Sequence, residues 1–141
     1  METKLDVFNG QFSAALNDFK TALDIDITQF DEGTADVIKN GQVQKFEFTI
    51  ELMWKLLKQY LLEQHGIEVA SPKQAIRSYF ELGFCDYRQS EELLEAVDLR
   101  NMLSHVYKKE TLERIYARLF PLSDLFEQVF QKKALVAPTS P

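Results

Sequence analysis

Arg100, Asn101 and His105 fall within the single run Arg100-Asn101-Met102-Leu103-Ser104-His105-Val106-Tyr107, and together they suit phosphodiester chemistry. A guanidinium holds two phosphate oxygens at once, an imidazole exchanges a proton near neutral pH, and an asparagine one helical turn earlier can fix the imidazole tautomer. On a helix, Arg100 and Ser104 continue the stripe of Leu93 and Val97, where a plain bundle helix would carry Leu or Ala. An arginine on an apolar face must be paired with a carboxylate or meet an anion, because it gives up hydration there. Asp98, Glu95 or a carboxylate of another helix would serve as the pair. His105 also has a purely structural reading, as a cation favoured by the dipole at a helix C-terminus.

Charge is distributed unevenly around this run. Arg100, Lys108, Lys109, Arg114 and Arg118 face only Glu110 and Glu113, so the stretch from Arg100 to Arg118 is locally basic. Lys108 and Lys109 are therefore candidate binding residues for an anion, against the plainer reading of a solvated helix start. The chain as a whole carries a net charge of -6, which argues against broad electrostatic attachment to nucleic acid and confines any RNA contact to a local patch.

Other groupings are weaker. Glu47 and Glu51 stand four residues apart, but Lys55 follows at the same spacing, so a solvated charge ladder explains them better than a metal site. His65 reads as a helix-end cation. No glycine-rich phosphate loop, metal-ligand cluster or Ser-His-Asp order is present in the sequence, so neither a cofactor nor a metal is expected, and intrinsic nucleotide transfer is doubtful.

The elements that must position Arg100 to Tyr107 follow from apolar periodicity. Leu5, Phe8, Phe12, Ala15, Leu16, Phe19 and Leu23 recur at three- and four-residue steps and predict a helix from about Lys4 to Ile25. A loop containing Phe30 leads to a second helix from about Val37 to His65, ended by Gly66. Its stripe is Phe46, Ile50, Met53, Trp54, Leu57 and Leu61. A further seam, Phe48, Leu52 and Leu56, lies on another side and is a candidate subunit interface.

Ser71-Pro72-Lys73-Gln74 supplies an N-cap, a proline at the first helical position and a capping-box glutamine, which opens a short third helix stopping at Gly83. A fourth helix starts between Asp86 and Ser90. A fifth starts near Glu110 and carries Leu112, Ile115, Leu119, Leu122, Phe126 and Val129 in phase across Pro121, which predicts a kinked helix or two nearly coaxial ones. The fold class expected is all-α, an antiparallel up-and-down bundle of four to five helices, with residues 1–133 as one domain and 134–141 as a disordered tail.

Composition agrees with that class. Hydrophobic residues make up 45% and charged residues 27% of 141, with only 5 Gly and 4 Pro, a balance for a folded helical protein. The single cysteine, Cys85, fits a reducing compartment, and no signal-peptide-like or membrane-spanning run is seen, so a cytoplasmic location is expected.

With these residues in view, the chain resembles the nucleotidyltransferase substrate-binding proteins, which include HepT-type toxins and belong to the HEPN superfamily. The resemblance runs from Phe46 to about Phe130. It rests on Phe46-Glu47-Phe48-Thr49-Ile50-Glu51-Leu52-Met53-Trp54-Lys55, on Ser71-Pro72-Lys73, and on the pattern of Arg100, four residues, His105, one residue, Tyr107. It implies a helical bundle that homodimerises and works with a minimal nucleotidyltransferase encoded nearby.

In active members, the residues matching Arg100 and His105 carry metal-independent RNA cleavage, and the tyrosine matching Tyr107 receives AMP from the partner, which silences the toxin. Other members are thought simply to bind substrate for that partner. Ribonuclease toxin and non-catalytic binding subunit therefore both remain open, with a structural helical adaptor as a third reading. The intact motif favours the enzyme, whereas the acidic pI of about 4.9 favours the others.

Overall fold

The computed structural model describes residues 1–103 and 109–131; His105, Tyr107 and Lys108 lie outside the described residues, as does the expected tail. Five α-helices are found: α1 (Lys4–Leu23), α2 (Glu32–His65), α3 (Pro72–Glu81), α4 (Tyr87–Leu103) and α5 (Lys109–Phe126). No strand occurs among the described residues, and no helix there is long and apolar enough to cross a membrane. The expected all-α bundle is what forms.

The starts of α1, α3 and α4 have local causes. Thr3 caps α1 through a reciprocal pair with Asp6, its hydroxyl accepting from the Asp6 amide while the Asp6 carboxylate accepts from the Thr3 amide. Asp86 and Gln89 make the same exchange at the start of α4. At α3 the Ser71 hydroxyl accepts from the Gln74 amide as expected, but the Gln74 side chain accepts from Ala70, one residue before the cap. Gly66 ends α2 at φ 66°, a left-handed conformation that a side chain would disfavour, and Gly83 follows α3 at φ 84°.

Two boundaries differ from the expectation. α2 begins at Glu32, five residues before Val37, because Asp31 caps it by accepting from the Thr34 amide at 2.7 Å. This cap outweighs the poor helix propensity of Gly33, which sits in the first turn. α1 stops at Leu23, and Ile27–Gln29 form a separate 3-10 turn capped by Asp26. α5 runs through Pro121 as one α-helix to Phe126 and then passes into a π-helical turn, Glu127–Gln131, so the two-helix alternative is not adopted.

α1 and α2 are antiparallel with a register that can be read from their contacts. The Gln42 side chain donates to the Ala22 carbonyl at 2.8 Å, the Lys45 ammonium to Asp18 at 3.0 Å, and Thr49 lies 3.5 Å from the Ala15 carbonyl. As residue numbers rise on α2 they fall on α1. α5 runs against α1, since Lys20 meets Asp124 and Glu127 whereas Phe12 meets Phe130. α3 packs on α2 and α4, and α4 packs on α2 and α5.

That register corrects the second seam of α2. Leu52 and Leu56 are buried in the chain's own core, and the α1–α2 register sets them opposite Phe12 and Phe8. They are not available as a subunit interface; Phe48, 61% exposed, is the one residue of the three that stays on the surface. The core is completed by Phe19, Phe46, Met53, Leu57, Tyr79, Leu93, Ile115 and Phe126, all essentially inaccessible. The stability of α2 thus depends on which of its apolar side chains are enclosed. Leu57→Ala should lower the unfolding free energy by about 2–5 kcal/mol, whereas Phe48→Ala should change it by less than about 0.5 kcal/mol in a urea titration at low protein concentration. Similar losses at both positions would contradict this packing.

Candidate functional site

The site is built on the last two turns of α4. Leu93, Ala96, Val97 and Leu99 are buried and pin one side of the helix to the core. On its other sides, three ion pairs reach three different helices. Glu95 accepts from Arg118 of α5 at 2.9 Å, Asp98 meets Lys73 of α3 at 2.6 Å, and Arg100 donates through Nη2 to Glu51 of α2. The helix that carries Arg100 and Asn101 is therefore fixed both along its axis and about it.

Arg100 is two-thirds covered, its side chain retaining 32% exposure. Its Nε is buried and has no hydrogen-bond partner among the described residues. The pairing expected for an arginine on this face is present, but its partner is neither Asp98 nor Glu95, each of which holds another cation. The carboxylate comes from α2. Glu51 is correspondingly not part of a ladder with Lys55, and it is the residue of the site that the reading of single-helix spacing misassigned. Two signals pointed to it: the need of Arg100 for a carboxylate, and the place of Glu51 within the Phe46-to-Lys55 pattern.

Asn101 is exposed in the same turn. Lys109 is exposed as the first residue of α5, where it borders a cleft of about 370 Å³ between the starts of α2 and α5. Asp36, Lys39, Asn40, Glu113 and Tyr116 also line this cleft. The Lys39 ammonium lies 5.1 Å from the centroid of the Tyr116 ring, within cation–π range. Partial burial pushes the Tyr116 phenol above its ordinary pKa, which keeps it neutral. The lining is of mixed charge, so the basic excess counted along the chain does not form a uniformly positive surface here.

His65 closes α2 beside the rings of Tyr60 and Phe84, at 5.4 and 5.5 Å between centroids, remote in the chain from the motif. No group of three or more His, Cys, Asp or Glu is placed to hold a metal among the described residues. What the described part of the site offers is one anchored guanidinium and an exposed amide at a helix C-terminus, leading into His105.

The described residues define a class of all-α bundle proteins with an anchored arginine at the end of α4. Residues 9–132 match the family described as nucleotidyltransferase substrate binding protein like, and the chain belongs to this family. It is similar to the Haemophilus influenzae protein named Probable ribonuclease HepT, with 30% identity over 105 residues, 69% of this chain and 70% of that one. A crystal structure of a Thermus thermophilus protein superposes with a TM-score of 0.75 at 31% identity, covering 86% of this chain and 97% of the other.

The ion pairs around α4 are all partly exposed, so each should add little stability even where it orients a side chain. Lys73→Met is expected to lower the unfolding free energy by no more than about 1 kcal/mol at low salt. The difference should shrink in about 1 M salt, where the screening length falls to roughly 3 Å. Paired urea titrations at the two ionic strengths check this.

Proposed function

We propose that this chain is the HEPN-type partner of a minimal nucleotidyltransferase encoded nearby, that it acts as a homodimeric, metal-independent endoribonuclease in a toxin–antitoxin-like system, and that AMPylation of Tyr107 silences it. The observation that carries this reading is the anchored Arg100 five residues before His105. It is supported by family membership and by the name of the Haemophilus relative.

In the proposed reaction a ribose 2′-hydroxyl attacks the adjacent phosphorus. The 2′-O–P bond forms and the P–O5′ bond breaks. The 2′-hydroxyl proton passes to a base and the leaving 5′-oxygen takes up a proton, with His105 in the base or acid role. Arg100 balances the charge that builds on the phosphorane, and Asn101 orients the site. Lys108 and Lys109 add local positive charge. A lone Arg100 and His105 pair is half of such a site, and a two-fold axis would supply the second copy. Phe48 is the member of the second α2 seam that stays exposed and is available for that contact.

AMP on Tyr107 would place a phosphate beside these cations and compete with RNA for the same donors. His105→Ala and Arg100→Ala should each lower cleavage in EDTA by about two orders of magnitude or more. Tyr107→Phe should keep much of the cleavage yet resist silencing by the partner and ATP, and mass spectrometry of the wild-type chain should find the adenylate on Tyr107. Equal cleavage by wild type and His105→Ala would end the ribonuclease reading. Light scattering across a concentration series should give a particle of twice 16.4 kDa; a particle of 16.4 kDa well above micromolar concentration would end the dimer.

A second reading, a non-catalytic substrate-binding subunit, is favoured by the net charge of -6 and by the mixed charge of the cleft. A stable complex with the nucleotidyltransferase, with no cleavage and no adenylate on Tyr107, would select it.

A further inference from the structure

The geometry points to Glu51 as a positioning residue for Arg100, holding the guanidinium of the reaction site from a different helix; this rests on the ribonuclease reading above. The assignment starts from the pairing pattern. Asp98 and Glu95, the carboxylates nearest to Arg100 in the chain, are engaged by Lys73 and Arg118. Glu51 is thus the carboxylate that meets Arg100, and it does so through Nη2.

The support behind Glu51 is stiff. It stands in the middle of the 34-residue α2, between the buried residues Ile50 and Leu52, on the helix against which α1, α3, α4 and α5 all pack. Arg100, by contrast, is in the last turn of α4, one residue before the exposed Asn101. A long side chain at a helix end samples many rotamers unless something fixes it. Glu51 takes one donor of the guanidinium and leaves others free, so Arg100 can accept a phosphate without first giving up its anchor.

Two consequences have opposite signs. Without Glu51, Arg100 is no longer held where charge develops in the transition state, so kcat falls. At the same time a negative charge is removed from beside an anionic substrate, so KM does not rise. A partly unfolded enzyme would also lose kcat at unchanged KM, so the thermal midpoint, held at the wild-type value, is what separates positioning from a purely structural role.

Steady-state RNA cleavage in EDTA tests the assignment. Glu51→Ala should lower kcat by about 100-fold, the scale of a small misplacement of a reacting group, with KM unchanged or lower and the thermal midpoint close to that of wild type. Glu51→Gln keeps an oxygen that can accept from Nη2 and should fall between wild type and Glu51→Ala. Glu63→Gln, on an exposed part of the same helix, should cleave like wild type. In an Arg100→Ala background, Glu51→Ala should have no further effect.

Wild-type kcat in Glu51→Ala would overturn the assignment, and so would an undiminished effect of Glu51→Ala when Arg100 is absent. A readout that needs no cleavage separates this idea from the ribonuclease reading. The Nε–H resonance of Arg100, assigned by its loss in Arg100→Lys, should exchange slowly with water in wild type and fast in Glu51→Ala. If wild type cleaves no RNA, the ribonuclease reading fails by itself; slow exchange lost in Glu51→Ala then still supports the positioning, and equal exchange in both proteins refutes it.

Discussion

Burial of α2 on several sides at once is the constraint on which the rest of the structure depends. Its inward residues Phe46, Ile50, Met53, Leu57 and Leu61 form one enclosed stripe, and Leu52 and Leu56 extend the enclosed surface towards α1. A helix with so broad an apolar surface cannot be satisfied by one neighbour, and α1, α3, α4 and α5 all pack against it. Its middle is therefore held from several sides at once, a firm place from which to project a carboxylate. Glu51 projects from there.

The end of α4 is held by two kinds of force with different tasks. Leu93, Ala96, Val97 and Leu99 fix where the helix lies, since burial of apolar side chains carries most of the energy. The pairs of Glu95, Asp98 and Arg100 with α5, α3 and α2 contribute little energy individually, being half exposed, but they point in three directions and so select one rotation of the helix. Specific orientation at low energetic cost is what a site for transient anion binding requires. A fully buried pair would instead leave the guanidinium no donor open to a phosphate.

An acidic protein proposed to act on RNA needs its positive charge concentrated, and the structure qualifies how that is achieved. The basic residues counted between Arg100 and Arg118 do not all face one surface: Arg118 is used against Glu95, and Lys109 borders a cleft that also contains Asp36 and Glu113. Attraction of RNA by a broad field is therefore not the principle of this site. The proposed RNA substrate would instead have to be held by local contacts from few groups.

Helix number, the cap at Ser71, the start of α4 between Asp86 and Ser90, the stop at Gly66 and the core stripes of α1, α4 and α5 were all legible in the sequence, because each depends on neighbours within a turn or two. So was the demand of Arg100 for a carboxylate or another anion, since a guanidinium beside Val97 and Ala96 gives up hydration that an opposite charge must offset. Three things were not legible. The early start of α2 came from the Asp31 cap prevailing over the low propensity of Gly33, a contest of small energies that periodicity does not resolve. The fate of Leu52 and Leu56 depended on the register of α1, and an apolar seam looks the same whether its cover comes from its own chain or from another. The choice of Glu51 over Glu95 and Asp98 was made by tertiary packing alone, because residues 49 positions apart in the chain become neighbours only when α2 and α4 are brought together by a core to which neither side chain contributes.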